Sequence, residues 1–134
     1  MCIKSNPSSR VQTTKKAKTV WKVTCEDRTP LFYSEHGIEL FCLGSSWKRL
    51  PRESKPVQLA FNIGYGYCLF ERKKTAKQYA KAVENRFNAA VEVHKAEIPA
   101  KIKYQHGKID KFCVGAGIEA IRAEQYLFVE AANG

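Results

Sequence analysis

Apolar and polar positions alternate through much of this chain. In TVWKVTCE, Trp21, Val23 and Cys25 fall on one side and Lys22, Thr24 and Glu26 on the other, with Val20 on the polar side. That period of two predicts a half-buried strand. VQLAFNI sets Val57, Leu59, Phe61 and Ile63 against Gln58, Ala60 and Asn62, and is the cleanest strand signal in the sequence. LFYS and IELFCLG predict further short strands punctuated by Gly37 and Gly44, and YCLFE, AVEVHKAEIP, FCVGAGIEAIR and YLFVEA supply more. Gly64 and Gly66 read as a bulge or tight turn before YCLFE. KIKYQHG ends on a predicted turn at Gly107, which places His106 at that turn. SSWKRLPRESKP reads as a loop, with Trp47 either plugging the core edge or exposed as a contact residue.

One segment follows the helical period instead. Ala76, Tyr79, Ala80, Val83 and Phe87 share one face, while Lys74, Lys77 and Lys81 share the other. Thr75 with Gln78 makes a capping box, so the helix is expected to start there. About seven short strands and one main helix predict an α+β fold, a mostly antiparallel sheet with the helix packed on it through Tyr79, Val83 and Phe87. At 134 residues the chain is expected to form one domain, 1–134. The polar run KSNPSSRVQTTKKAK has no hydrophobic period, so 4–18 is expected to be a flexible basic arm or loop.

Composition then narrows the function. Hydrophobic residues at 44% and aromatics at 11% exclude disorder over most of the length. Charge changes the picture more: 23 Lys and Arg against 13 Asp and Glu give a formal net charge of +10. That balance points to a polyanionic partner, because phosphate contacts dominate sequence-independent nucleic-acid binding. Plain solubility and an acidic protein partner are the competing explanations. No run is long enough to span a bilayer, and MCIKSNPSSR has no apolar signal core, so no membrane partner and a cytoplasmic location are expected. Five cysteines without close pairs suit reduced thiols.

GYGYCLFERKKTAKQY, residues 64–79, combines glycines, aromatics and consecutive cations. Its glycines lie too far ahead of the helix for a phosphate loop, and Leu69 stands where a GxGxxG motif needs its third glycine. Arg72, Lys73 and Lys74 remain, at a helix start where each exposed cation costs about 0.3 to 1 kcal/mol against the dipole. A bound anion would offset that cost. With Lys77 and Lys81 they form the candidate phosphate-binding face, extended by Lys101, Lys103 and Lys108. Tyr65 and Tyr67, on the same side of a strand, serve either as a stacking surface for bases or as core. There is no CxxC, and His36, His94 and His106 are widely spaced, so neither metal nor cofactor is expected. Cys68 with His94 or His106, and His106 as a general acid or base, lack supporting context. No catalytic residue is assigned, and the protein is not expected to be an enzyme.

MCI, VWKV, TPLFY, GYGYCLF before a helix, VEVHKAEIP, KYQHG and VGAGIEAI occur in that order. This order resembles a loosely defined group of small, uncharacterised proteins of bacteriophages and mobile elements. In that group a YKV-type strand precedes a Gly-Phe-His strand, a helix and a V-x-x-x-IP strand. Here Gly66-Tyr67-Cys68 replaces Gly-Phe-His, so no role of that histidine carries over. The resemblance implies a viral accessory protein in the cytoplasm of the host cell, an inhibitor of bacterial defence. With the basic face, it leads to an expected partner that is nucleic acid, a nucleoprotein defence complex or a signalling nucleotide. Two alternatives stay open: a protein-docking inhibitor independent of nucleic acid, and a small enzyme acting on nucleotides or phosphodiesters.

Overall fold

The computed structural model describes residues 3–5, 10–35, 38–41, 49–59, 66–111 and 113–129. Its strands are β1 (Ile3–Ser5), β2 (Gln12–Thr13), β3 (Lys18–Cys25), β4 (Phe32–Glu35), β5 (Ile38–Phe41), β6 (Tyr67–Leu69), β7 (Val91–Ile98), β8 (Lys103–Ile109), β9 (Glu119–Ala123) and β10 (Leu127–Phe128). One α-helix, α1 (Lys73–Phe87), follows β6, and a short 3-10 turn (Glu26–Arg28) follows β3. Every pairing between these strands is antiparallel. The chain is therefore an α+β fold with one main helix packed on antiparallel sheet.

The strands form an almost closed circuit. β8 carries β1 and β2 on one edge and β9 on the other, and β9 pairs with β6. β6 hands over to β3 where Trp21 and Phe70 exchange backbone hydrogen bonds of 2.7 and 2.9 Å. β3 pairs with β7 along its whole length, from Lys18 opposite Ile98 to Cys25 opposite Val91. β7 then takes β10, the continuation of β9 along the chain, so the sheet curls back on itself. β4 and β5 form a separate two-stranded ribbon.

Alternation gives the curl two apolar faces. Val23, Cys25, Cys68, Phe70, Ile109 and Ala120 pack outward beneath α1. Val20, Leu69, Ala96, Ile98, Ile121 and Tyr126 fill the inside. The polar side expected of β3 is buried as well: Lys22 is 5% exposed and Thr24 fully buried. Both faces of β3 are covered, so a pattern that elsewhere means one wet side here means two packed ones.

α1 buries Ala76, Tyr79, Ala80 and Val83, and Phe87 packs against the same core. Tyr79 meets Phe70 with ring centroids 5.1 Å apart. Burying each such side chain contributes about 1.5 to 3 kcal/mol, which fixes the rotation of the helix. The helix ends at Asn88, left-handed at φ 50°, whose N–H donates to the Glu84 carbonyl. It begins earlier than the capping box predicts. Arg72, with extended φ and ψ, is the N-cap, and Thr75 lies inside the first turn with its Oγ1 donating to the Arg72 carbonyl at 3.0 Å. Thr75 thus serves a carbonyl rather than a free amide.

Three further expectations change. β8 runs straight through Gly107, which sits in the ladder between Ser5 and Ala120, so His106 is mid-strand. The turn comes later, where Gly115 and Gly117 take φ of 79° and 87°. Much of 4–18 is not a free arm: β1 and β2 pair with β8, and Thr14 Oγ1 donates to the Pro99 carbonyl at 2.6 Å. Residues 57–59 form no strand, although the Val57 N–H donates to the Glu124 carbonyl. Residues 60–63, with Gly37, Gly44, Trp47, Gly64 and Tyr65, lie outside the described residues. No helix among the described residues is long and apolar enough to cross a membrane.

Candidate functional site

Because Tyr79 and Val83 fix the rotation of α1, its cations point away from the sheet. Arg72, Lys73, Lys74, Lys77 and Lys81 are all exposed. Lys73, Lys74, Lys77 and Lys81, with Gln78, line an open depression of about 490 Å³. Lys73, Lys77 and Lys81 succeed one another at helical i, i+4 spacing, where like charges destabilise by about 0.2 to 0.5 kcal/mol per pair. The first turn holds no acidic residue, and the N-cap makes no side-chain hydrogen bond. Lys73 Nζ lies 5.3 Å from the Trp21 ring centroid, a cation–π contact that steadies it at the helix start.

A second cluster sits at one end of the curl, beside the start of α1. The inward side of β3 carries Lys18 before Val20, that of β6 leads past Leu69 to Glu71, and that of β9 starts with Glu119 before Ile121. β8 adds His106, opposite Ile121. Four strands therefore bring these side chains to a common mouth. Glu71 is its centre: Lys18 Nζ lies 3.0 Å from Oε2 and His106 Nε2 lies 2.6 Å from Oε1. Burial pushes the Glu71 carboxyl up, but hydrogen bonds and charge from Lys18 and His106 outweigh it and hold the group below its ordinary 4.5. Tyr104 backs the pair, edge-on to His106 at 5.8 Å and 5.5 Å from Lys18 Nζ. A cavity of about 280 Å³ opens here, lined by Lys18, Glu71, Arg72, Thr75, Glu119 and Ala120. Arg72 thus joins the helix face to the mouth.

The Glu71 bond settles the imidazole. An ionised carboxylate only accepts, so His106 Nε2 carries the proton it donates, and in the neutral ring Nδ1 keeps its lone pair.

Of the residues singled out in the sequence, Lys73, Lys74, Lys77 and Lys81 of α1 line one depression, and Arg72 precedes them at the N-cap and lines the mouth cavity. Lys101 and Lys103 are exposed beside the 13–16 turn, where the Lys101 N–H donates to the Thr14 carbonyl, and Lys108 is exposed on β8. Tyr67 is a correction: it is 9% exposed, edge-on to Tyr126 at 5.1 Å, and its hydroxyl donates to the Lys55 carbonyl at 2.7 Å. A ring packed in this way offers no face to a base. Cys68 is buried on the outward side, whereas His106 stands on the inward side across from Ile121, so the two do not pair. His94 is bonded to Glu92 at 2.9 Å. Among the described residues no group of three or more His, Cys, Asp or Glu is placed to hold a metal ion. Glu71 carries no signal of its own in the sequence, and Lys18 reads there only as the last cation of the basic 4–18 segment. The signal available was the period of two, carried one step beyond each predicted strand.

Comparison with protein-family models, curated proteins and solved structures finds no match to this chain.

Proposed function

We propose that the protein binds a polynucleotide, or a complex that displays one, through the basic face of α1. The observation that carries this reading is the exposed row Lys73, Lys77 and Lys81 on a helix whose first turn holds no acidic residue. The row costs helix stability, and phosphate is the partner that offsets the cost. Its extent favours a polymer over one signalling nucleotide. From Lys73 to Lys81 the helix rises about 12 Å, matching about three or four nucleotides at 3.4 Å each. The cations are spread along a track rather than converging on a point. The resemblance to small phage proteins adds the setting: an accessory inhibitor that occupies a nucleic-acid-bearing complex of host defence.

The test is affinity for short RNA and DNA across salt concentration. Log K is expected to fall against log salt with a slope of about 0.7 to 0.9 per phosphate contacted. Lys73→Glu with Lys77→Glu is expected to weaken binding at least tenfold and flatten that slope while the circular dichroism spectrum stays unchanged. Equal affinity in the double variant removes this face from the reading. Capture of a partner that persists after nuclease treatment favours protein docking instead.

A further inference from the structure

We propose that the mouth cluster, with His106 held by Glu71 beside Lys18 and Arg72, is a general-base site that cleaves single-stranded RNA at its own 2′-hydroxyl. The proposal rests on the binding reading only for delivery of the strand, and goes beyond it by assigning turnover. Three requirements of such a reaction are met by separate groups. A base needs a fixed tautomer, and the 2.6 Å contact from His106 Nε2 to Glu71 leaves Nδ1 as acceptor on a side chain that is 40% exposed. The phosphorane that forms needs cations, which Lys18 and Arg72 supply at the cavity wall, next to the first-turn amides of α1. The sugar and phosphate need room, and a cavity of about 280 Å³, walled by Lys18, Glu71 and Arg72 rather than by His106 itself, opens beside the carboxylate that holds the imidazole and approaches the size of small-molecule sites. Glu119, which lies next to Glu71 on the neighbouring strand and also lines the cavity, repels phosphate and leaves the Arg72 end as its place.

In the step itself, Nδ1 takes the 2′-hydroxyl proton and the 2′-oxygen forms a bond to phosphorus. The bond from phosphorus to the 5′-oxygen breaks with its electron pair on that oxygen, which takes a proton from water, and the hydroxide left behind takes the proton from Nδ1 and restores the neutral ring. The products are a 2′,3′-cyclic phosphate end and a 5′-hydroxyl end. RNA is the substrate class because it carries the nucleophile, so the protein has only to remove a proton and stabilise charge. The imidazole meets Glu71 from the end of β6 and Tyr104 from β8, Lys18 of β3 is paired to the same carboxylate, and Lys108 and Glu119 follow as a register pair on β8 and β9.

The experiment uses the full chain and a DNA oligonucleotide carrying one internal ribonucleotide, with products weighed by mass spectrometry and an all-DNA strand as control. Scission is expected only after the ribonucleotide, leaving a cyclic phosphate. His106→Ala is expected to lose about 10²- to 10⁴-fold in rate while keeping its affinity. If that variant does not fold, His106→Gln replaces it. Glu71→Gln, a positioning change, is expected to lose about tenfold and to alter the pH–rate profile, which a purely structural ion pair would leave alone. A strand that binds and stays intact, or cleavage equal in the His106 variants, overturns this inference and spares the binding reading. Cleavage that depends on His106 but not on Lys73 and Lys77 overturns the binding reading alone. With neither binding nor cleavage, both fall.

Discussion

Glu71 is anchored by two side chains from different strands, Lys18 on β3 and His106 on β8. Its carboxyl is held below the ordinary 4.5 in the folded chain, so it binds a proton more readily when unfolded. Its contribution to stability is therefore complete above about pH 4.5 and disappears as pH falls through the lowered value. The melting temperature is expected to drop on acidification below that point, and Glu71→Gln is expected to flatten part of the drop. Glu92 supplies another part, because His94 and the backbone N–H groups of Asp27 and Arg28 outweigh the opposing effect of burial and lower its carboxyl too. His106 itself was visible in the sequence, but its surroundings were not. Gly107 looked like local punctuation, whereas the ladder with Ser5 and Ala120 runs straight through it. Long-range pairing, absent from any local window, decided the backbone there.

At the scale of the element, α1 is where sequence and structure agree most closely. The spacing of Ala76, Tyr79, Ala80 and Val83 dictates the buried face, and burial then dictates where the lysines go. The start was misread because Thr75 and Gln78 satisfy a pattern that the extended backbone of Arg72 overrides. Lys74 in the first turn separates stability from binding. Lys74→Glu places a negative charge near free amides and relieves repulsion, so it is expected to stabilise the fold by about 0.3 to 1 kcal/mol. The same variant is expected to bind polynucleotide more weakly. Paired thermal melts and titrations check this, and a variant that gains stability without losing affinity excludes Lys74 from the contact.

For the whole molecule, the alternation that revealed the strands concealed how they close. A period of two separates two faces but does not say that both are buried, and in β3 they are. Lys22 shows the consequence: its Nζ donates to the Cys68 carbonyl at 3.0 Å and lies 5.3 Å from the Tyr126 ring centroid. Lys22→Glu turns a buried donor into a buried anion facing that carbonyl. It is expected to cost about 3 to 5 kcal/mol, measured by urea denaturation, although the sequence alone suggests a harmless surface change. The net charge of +10 was legible at once, but the depression lined by four lysines of α1 and the grouping of Lys18 with His106 around Glu71 needed the fold.

The handover at Trp21 and Phe70 joins the sheet containing β6, β8 and β9 to the one containing β3, β7 and β10. Two backbone hydrogen bonds make a short seam beside the eight-pair ladder of β3 with β7, and segments held by few hydrogen bonds open at lower cost. Lys18 stands on one side of it and Glu71 on the other. Whatever loosens that seam releases a lysine from its carboxylate, so the electrostatics of the mouth are geared to the mechanics of the curled sheet.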